Sequence, residues 1–291
     1  MKHSIRLLAL CLALFLALGF VGCSGLTNPL EPSVPTASPA PAGTSAGNAG
    51  EQLAALDLAL FKKDIESDPL TLKLALKDPE ALGVEMPDAT WGELSYEDAA
   101  RTAAEYGEFL AELRRIDRSA LSETEQLTYD TIEQELSAYA EGMDSYYYEE
   151  VLSPYNGLHT NLPFNFVLYE LDNEQDAENY LGLLADAARY VAEDVLRFEQ
   201  EKAERGTFMN DVTLDKVLEQ IKDFADAGES CFLYATFADS LAQLGLDADA
   251  EAAYLAENEA AVDALLEAYQ TLYDGLDALR GSCAGTGALH E

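Results

Sequence analysis

Between residue 51 and Arg280 the large apolar side chains return every third or fourth residue, and that interval specifies amphipathic α-helices buried along one stripe. The breaks between stripes carry helix-start chemistry. Ser95-Tyr-Glu-Asp98 caps a helix reaching Ile116, with Tyr106, Phe109, Leu110, Leu113 and Ile116 on its inner face. Ser122-Glu-Thr-Glu125 is a capping box, in which hydroxyl and carboxylate each satisfy an end N–H, and Leu127, Ile132, Leu136 and Tyr139 are expected to continue inward. A third helix runs from near Asn173 to Arg205 on Tyr180, Leu184, Ala187, Val191, Val195 and Phe198, and Gly206 ends it. Two more are expected over 213–227 and 229–244. The last, Asp247 to Arg280, carries Leu255, Val262, Leu265, Leu266, Tyr269, Leu272, Leu276 and Leu279. No repeat of fixed period joins these units, so the expected fold class is an all-α, multi-helix domain over 51–291.

One stretch resists the helical reading. Residues 143–172 hold Tyr146-Tyr-Tyr148, Ser153-Pro-Tyr-Asn-Gly-Leu-His159 and Asn161-Leu-Pro163, and the prolines with the Asn-Gly pair predict a long irregular crossover. Long loops in compact domains are often functional, and Tyr155, Asn156, His159 and Asn161 are the candidate cleft residues. The competing reading is a crossover that covers the core.

The first 22 residues read as an address. Lys2 and Arg6 precede an apolar run from Leu7 to Val21, which meets Gly22-Cys23-Ser24. That run is short for a membrane span, which needs roughly 20 apolar residues. Gly22-Cys23 resembles a lipobox, in which Cys23 is diacylated and becomes the new N-terminus; Phe20 departs from the usual Leu, Val or Ile three residues before the cysteine. Residues 23–50, with Pro29, Pro32, Pro35, Pro39 and Pro41 among small polar residues, read as a lipidated cysteine and a semi-extended tether. The expected location is the cell membrane, lipid-anchored on its extracytoplasmic face.

Charge limits the partners. With 54 acidic and 17 basic residues the chain carries −37, and loss of Lys2 and Arg6 with the signal would leave −39. Such a surface repels phosphate backbones, which excludes nucleic acid as a partner and makes the lipid anchor the only expected membrane contact. Outside the cytoplasm Cys231 and Cys283 are free to form a disulfide, but Cys231 lies in the apolar run to Phe237, where a buried thiol packs as a small hydrophobe.

Catalytic constellations are not evident. Asp247-Ala-Asp-Ala-Glu251 imitates calcium-loop spacing, but Ala252 and Asn258 stand where a turn glycine and a bidentate carboxylate are needed, so the segment reads as the acidic first turn of a helix. A zinc hydrolase helix carries His-Glu-x-x-His; after the signal only His159 and His290 remain, and His290-Glu291 closes the sequence. There is no Gly-x-Ser-x-Gly elbow, and Cys231 has no cation beside it in sequence to activate it. No catalytic and no metal-ligating residue is assigned.

Ordered motifs do resemble a known bacterial family. Phe61-Lys-Lys-Asp-Ile-Glu-Ser-Asp68, Leu76-Lys-Asp-Pro-Glu80 with Gly83, and Gly92-Glu-Leu-Ser95 resemble its opening helices and turn. Leu121-Ser122 with Gln126, Thr128, Tyr129 and Asp130 resembles its next helix start, and Leu152-Ser-Pro-Tyr-Asn-Gly157 with Leu162-Pro163 its central loop. Asp176-Ala-Glu178 with Tyr180-Leu181 completes the match. The chain is thereby identified as a member of family eight-eight-five among the bacterial domains of unknown function. The resemblance implies a helical metallopeptidase-like lipoprotein about twice as long, with a His-Glu-x-x-His helix in its second half. Residues 57–291 resemble the N-terminal half, and Gly281–Glu291 the entry to the linking segment. Zinc and a peptide substrate are then expected only in a longer form, and this chain is expected to supply scaffold and one cleft wall without catalysis. The rival readings are a binding lipoprotein for peptide or sugar and a spacer without ligand.

Overall fold

A computed structural model describes residues 48–283. The signal, Cys23 and nearly all of the tether expected from the sequence lie outside these residues. Helices α1 (Ala49–Ile65), α2 (Pro69–Ala75), α3 (Tyr96–Leu113), α4 (Glu123–Glu141) and α5 (Leu158–Leu168) are followed by α6 (Glu174–Arg189), which runs through a π-helical turn at Tyr190–Val195 into α7 (Leu196–Arg205). Helices α8 (Asp211–Ala225), α9 (Phe232–Leu241) and α10 (Ala248–Asp277) complete the domain. There is no strand among the described residues, and no helix there is long and apolar enough to cross a membrane.

The caps explain where the helices start. Asn48, Asp68, Ser95, Ser122, Asn173, Asn210 and Asp247 each accept a hydrogen bond from an N–H of the first turn. Such a cap contributes about 1 kcal/mol. Asn48 and Glu51 form a capping box, so α1 takes in Ala49 and Gly50 from the end of the expected tether. The Ser122–Glu125 box forms as its sequence predicts. Asp247 spends its carboxylate on the N–H groups of Asp249 and Ala250.

Among the described residues two main apolar centres form, beside a small cluster of Ile65, Leu72 and Val84. The larger gathers α5 to α10 around Leu184, Ala187, Val191 and Val195 on one side and Val262, Leu265, Tyr269, Leu272 and Leu276 on the other. The smaller joins Leu53, Leu56 and Leu60 of α1 to Leu110 and Leu113 of α3 and to Tyr129, Ile132 and Leu136 of α4. Cys231 is a free thiol, 3% exposed in the larger core, so its packing reading holds and the disulfide reading does not.

Two expectations are corrected. Leu127 and Tyr139 do not face inward; they are 67% and 53% exposed. Tyr129, Ile132 and Leu136 set the buried face, and at 100° per residue Leu127 lies on the opposite side of the turn. The stretch 143–172 is not one irregular crossover, because Gly142–Tyr148 winds as 3-10 turns and Leu158–Leu168 is helix α5 with Pro163 inside it. Proline removes the bond from residue 163 to the carbonyl of His159, a loss normally prohibitive in a helix interior. Here the buried Tyr269 hydroxyl donates to that carbonyl at 2.8 Å, and the helix continues.

Candidate functional site

Trp91 is where the site begins. The segment before α3 has no regular structure of its own, and α6 holds it: the Trp91 N–H and the Thr90 hydroxyl donate to Asp186 Oδ2 at 2.7 and 2.9 Å, and the Trp91 indole N–H donates to the Leu183 carbonyl at 2.9 Å. Arg189 clamps Asp186 and Asp194, both at 2.6 Å, and donates to the Gly92 carbonyl at 2.8 Å. Arg197 reaches Asp194 at 2.7 Å and the Leu94 carbonyl at 3.1 Å. Burial works to raise the Asp186 carboxyl, but Arg189, Trp91 and Thr90 outweigh it and hold the group below the usual carboxylate range. Asp194, 3% exposed, has both oxygens paired to arginine. The π-helical turn that displaces Tyr190 to Val195 from regular α spacing thus coincides with this clamp; π-turns of this kind are frequent at functional sites.

Against this fixed segment α5 and the chain before it complete a cleft of about 340 Å³. Trp91, Leu94, Val151, Leu158, Leu162 and Tyr190 give its apolar lining, Asn156, Asn161 and Asn165 its carboxamides, and Glu149 and Glu150 its acidic edge. Asn161 Nδ2 donates to Asn156 Oδ1 at 2.9 Å, so two of the sequence candidates meet across the wall. Burial pushes the Tyr190 hydroxyl up to about 12, so it is a neutral donor at physiological pH.

The other two candidates go elsewhere. Tyr155 is 94% exposed and lines no part of the cleft. His159 faces the core at 2% exposure: Nε2 lies 3.0 Å from Gln220 Oε1, Gln220 in turn donates to the Pro154 carbonyl, and Nδ1 has no partner among the described residues. Burial holds its imidazole below the ordinary value, with Gln220 opposing only in part. A Cβ on Gly157 would lie 2.5 Å from the Ser153 nitrogen and 2.5 Å from the His159 ring, which is why glycine precedes the helix here. His159 is a wedge that seats α5 on α8.

Sequence reading missed the groups beneath the acidic edge. Glu199 is fully buried, neither carboxylate oxygen has a hydrogen-bond partner among the described residues, and Lys202 Nζ stands 3.6 Å away while donating to the Glu149 carbonyl at 2.7 Å. Burial pushes the Glu199 carboxyl up to about 7, with Lys202 pulling the other way. A signal was present, since the stripe Val191, Val195, Phe198 continues at helical spacing to Lys202. Trp91 and Asn165 gave no comparable signal.

Zinc, implied by the sequence resemblance, does not fit these residues. Among the described residues no three His, Cys, Asp or Glu side chains are grouped to hold a metal ion, and the His159 ring is enclosed and engaged with Gln220.

Comparisons place the chain among known proteins. The family model described as "Bacterial protein of unknown function (DUF885)" matches residues 79–285. The fold is similar to a crystal structure of "the putative lipoprotein from Colwellia psychrerythraea", with a TM-score of 0.67 and 15% identity over 81% of this chain and 42% of that one. At that identity the likeness establishes the fold, and this chain spans about two fifths of that protein's length. Comparison with curated proteins gives no match.

Proposed function

The chain belongs to the DUF885 family of bacterial proteins of unknown function, and from that membership we propose that it is the scaffold-and-cleft portion of a lipid-anchored, extracytoplasmic, metallopeptidase-like protein, one that holds a peptide beside α5 without carrying a catalytic metal of its own. The observation that carries this reading is the composition of the cleft. A peptide alternates donor and acceptor along its backbone, and a carboxamide offers both. Asn156, Asn161 and Asn165 supply three of them next to an apolar lining suited to a side chain. Glu149 and Glu150 favour peptides with a cationic end.

The anchor rests on Lys2, Arg6, the apolar run to Val21 and Gly22-Cys23, with the acyl groups carried by Cys23. The scaffold assignment draws on the shared fold and on the 42% share of the longer relative. Zinc belongs, on this reading, to a longer form; nothing in the described residues holds it, and no step here passes through it. The alternative is a binding lipoprotein that holds peptide or sugar without any associated chemistry, favoured by an indole at the cleft wall.

Thermal unfolding of the full chain with short peptides and with disaccharides tests this, since a ligand of the native state raises the midpoint by mass action. A peptide-dependent rise that Asn161→Ala and Asn165→Ala abolish is expected. A rise with sugar alone would favour the alternative, and no rise with either would overturn both.

A further inference from the structure

A second cleft, about 600 Å³, lies between the turn before α9 and one face of α10. Its walls are Gly228, Glu229, Tyr234, Leu255, Asn258, Glu259 and Asp263. Positions 255, 258, 259 and 263 share one face of α10 by helical spacing. The Tyr234 hydroxyl donates to Asp263 Oδ1 at 2.6 Å, which fixes that carboxylate at the wall. Glu229, Glu259 and Asp263 are exposed and acidic, and among the described residues no Lys or Arg lines the cleft.

Acidity alone would describe much of this molecule; Asn258 sets this place apart. It is 2% exposed, it lines the cleft, and among the described residues its side chain has no hydrogen-bond partner, Oδ1 being enclosed. A buried carboxamide left unsatisfied costs stability unless something bonds it. With no protein group fixing its orientation, a half-turn of the amide presents its oxygen to the cleft.

We propose that this cleft binds an alkylammonium ligand, a chain of methylenes bearing two or more amino groups, with Glu229, Glu259 and Asp263 on the charged groups, Asn258 Oδ1 accepting from one ammonium, and Tyr234 and Leu255 against the methylenes. The carboxylates are spread around the walls, and no three acidic, His or Cys groups converge as a metal ion requires among the described residues. Separated charges with an apolar surface between them match a polyamine better than a point charge. The site is independent of the cleft beside α5.

Two sources present this chemistry, a free polyamine and a lysine-rich peptide, so titration calorimetry of the full chain uses spermidine and an N-acetylated trilysine amide at about 0.15 M salt, where diffuse attraction is largely screened. Saturable one-to-one binding of at least one probe is expected, the tighter probe naming the source. Glu259→Gln with Asp263→Asn should weaken it about tenfold, two exposed ion pairs being lost. Asn258→Leu should weaken it several-fold while circular dichroism remains helical. Glu80→Gln with Glu85→Gln removes the same charge elsewhere and should change little. Absence of saturable binding by both probes, or equal weakening by the two acid pairs, would overturn the proposal; if Asn258→Leu fails to fold, the paired acid variants still decide it.

Discussion

The Tyr269 hydroxyl donates to the His159 carbonyl at 2.8 Å, inside the core, and takes the bond that Pro163 cannot supply. One phenol on α10 therefore lets a proline stand within α5, and α5 forms one wall of the cleft with Trp91. Tyr269→Phe leaves that carbonyl buried and unbonded. A loss of about 1–3 kcal/mol is expected in urea unfolding.

The same contact predicts a coupling. Pro163→Ala restores an N–H four residues after His159, so the carbonyl regains a helical partner. Tyr269→Phe made on that background should cost less than on the native chain, by about 1 kcal/mol in a double-mutant cycle. Additive costs would show that the carbonyl is not what the tyrosine serves.

Glu199 makes stability depend on pH. Its carboxyl titrates near about 7 in the folded chain against 4.5 in a free glutamate, so between those values the folded state holds the proton that the unfolded state has released. Stability from this group is therefore full below about 4.5 and is lost as pH rises to about 7. Glu199→Gln removes the effect: the stability of variant relative to native should rise by on the order of 3 kcal/mol from pH 4.5 to 8. Urea midpoints across that range measure it.

His159 should behave as a neutral wedge. Burial depresses its imidazole, so NMR titration should find it unprotonated where an ordinary histidine is half charged. Gly157→Ala would drive a methyl into the Ser153 nitrogen and the imidazole, and a loss of about 1–3 kcal/mol with a displaced His159 signal is expected.

The elements that the sequence reveals are those whose signals are local. Ser122 and Glu125 are three residues apart and form their box wherever the chain goes, and the stripe from Tyr180 to Phe198 is buried at every named position. Leu127 misleads because apolarity does not state which side of a turn the core lies on. Pro163 misleads for a different reason: its local rule is overridden by Tyr269, a residue far along the chain. The cleft was visible only in part. Asn156 and Asn161 fell in a segment already marked by its unusual composition, whereas Trp91 and Tyr190 meet them through the Asp186 and Arg189 contacts, which are tertiary.

Lipidation of Cys23 is read directly by mass spectrometry of the membrane fraction. A mature chain beginning at Cys23 and carrying acyl groups is expected. One beginning elsewhere, or without acyl groups, would remove the anchor from the proposed function and leave the cleft untouched.

The cleft and the assignment of zinc to a longer form are tested together by incubating the full chain with zinc and a mixed peptide library, then measuring bound zinc, retained peptide and cleavage products. Peptide retained through Asn161 and Asn165, without stoichiometric zinc and without cleavage, is the expected result. Stoichiometric zinc with chelator-sensitive turnover would contradict it.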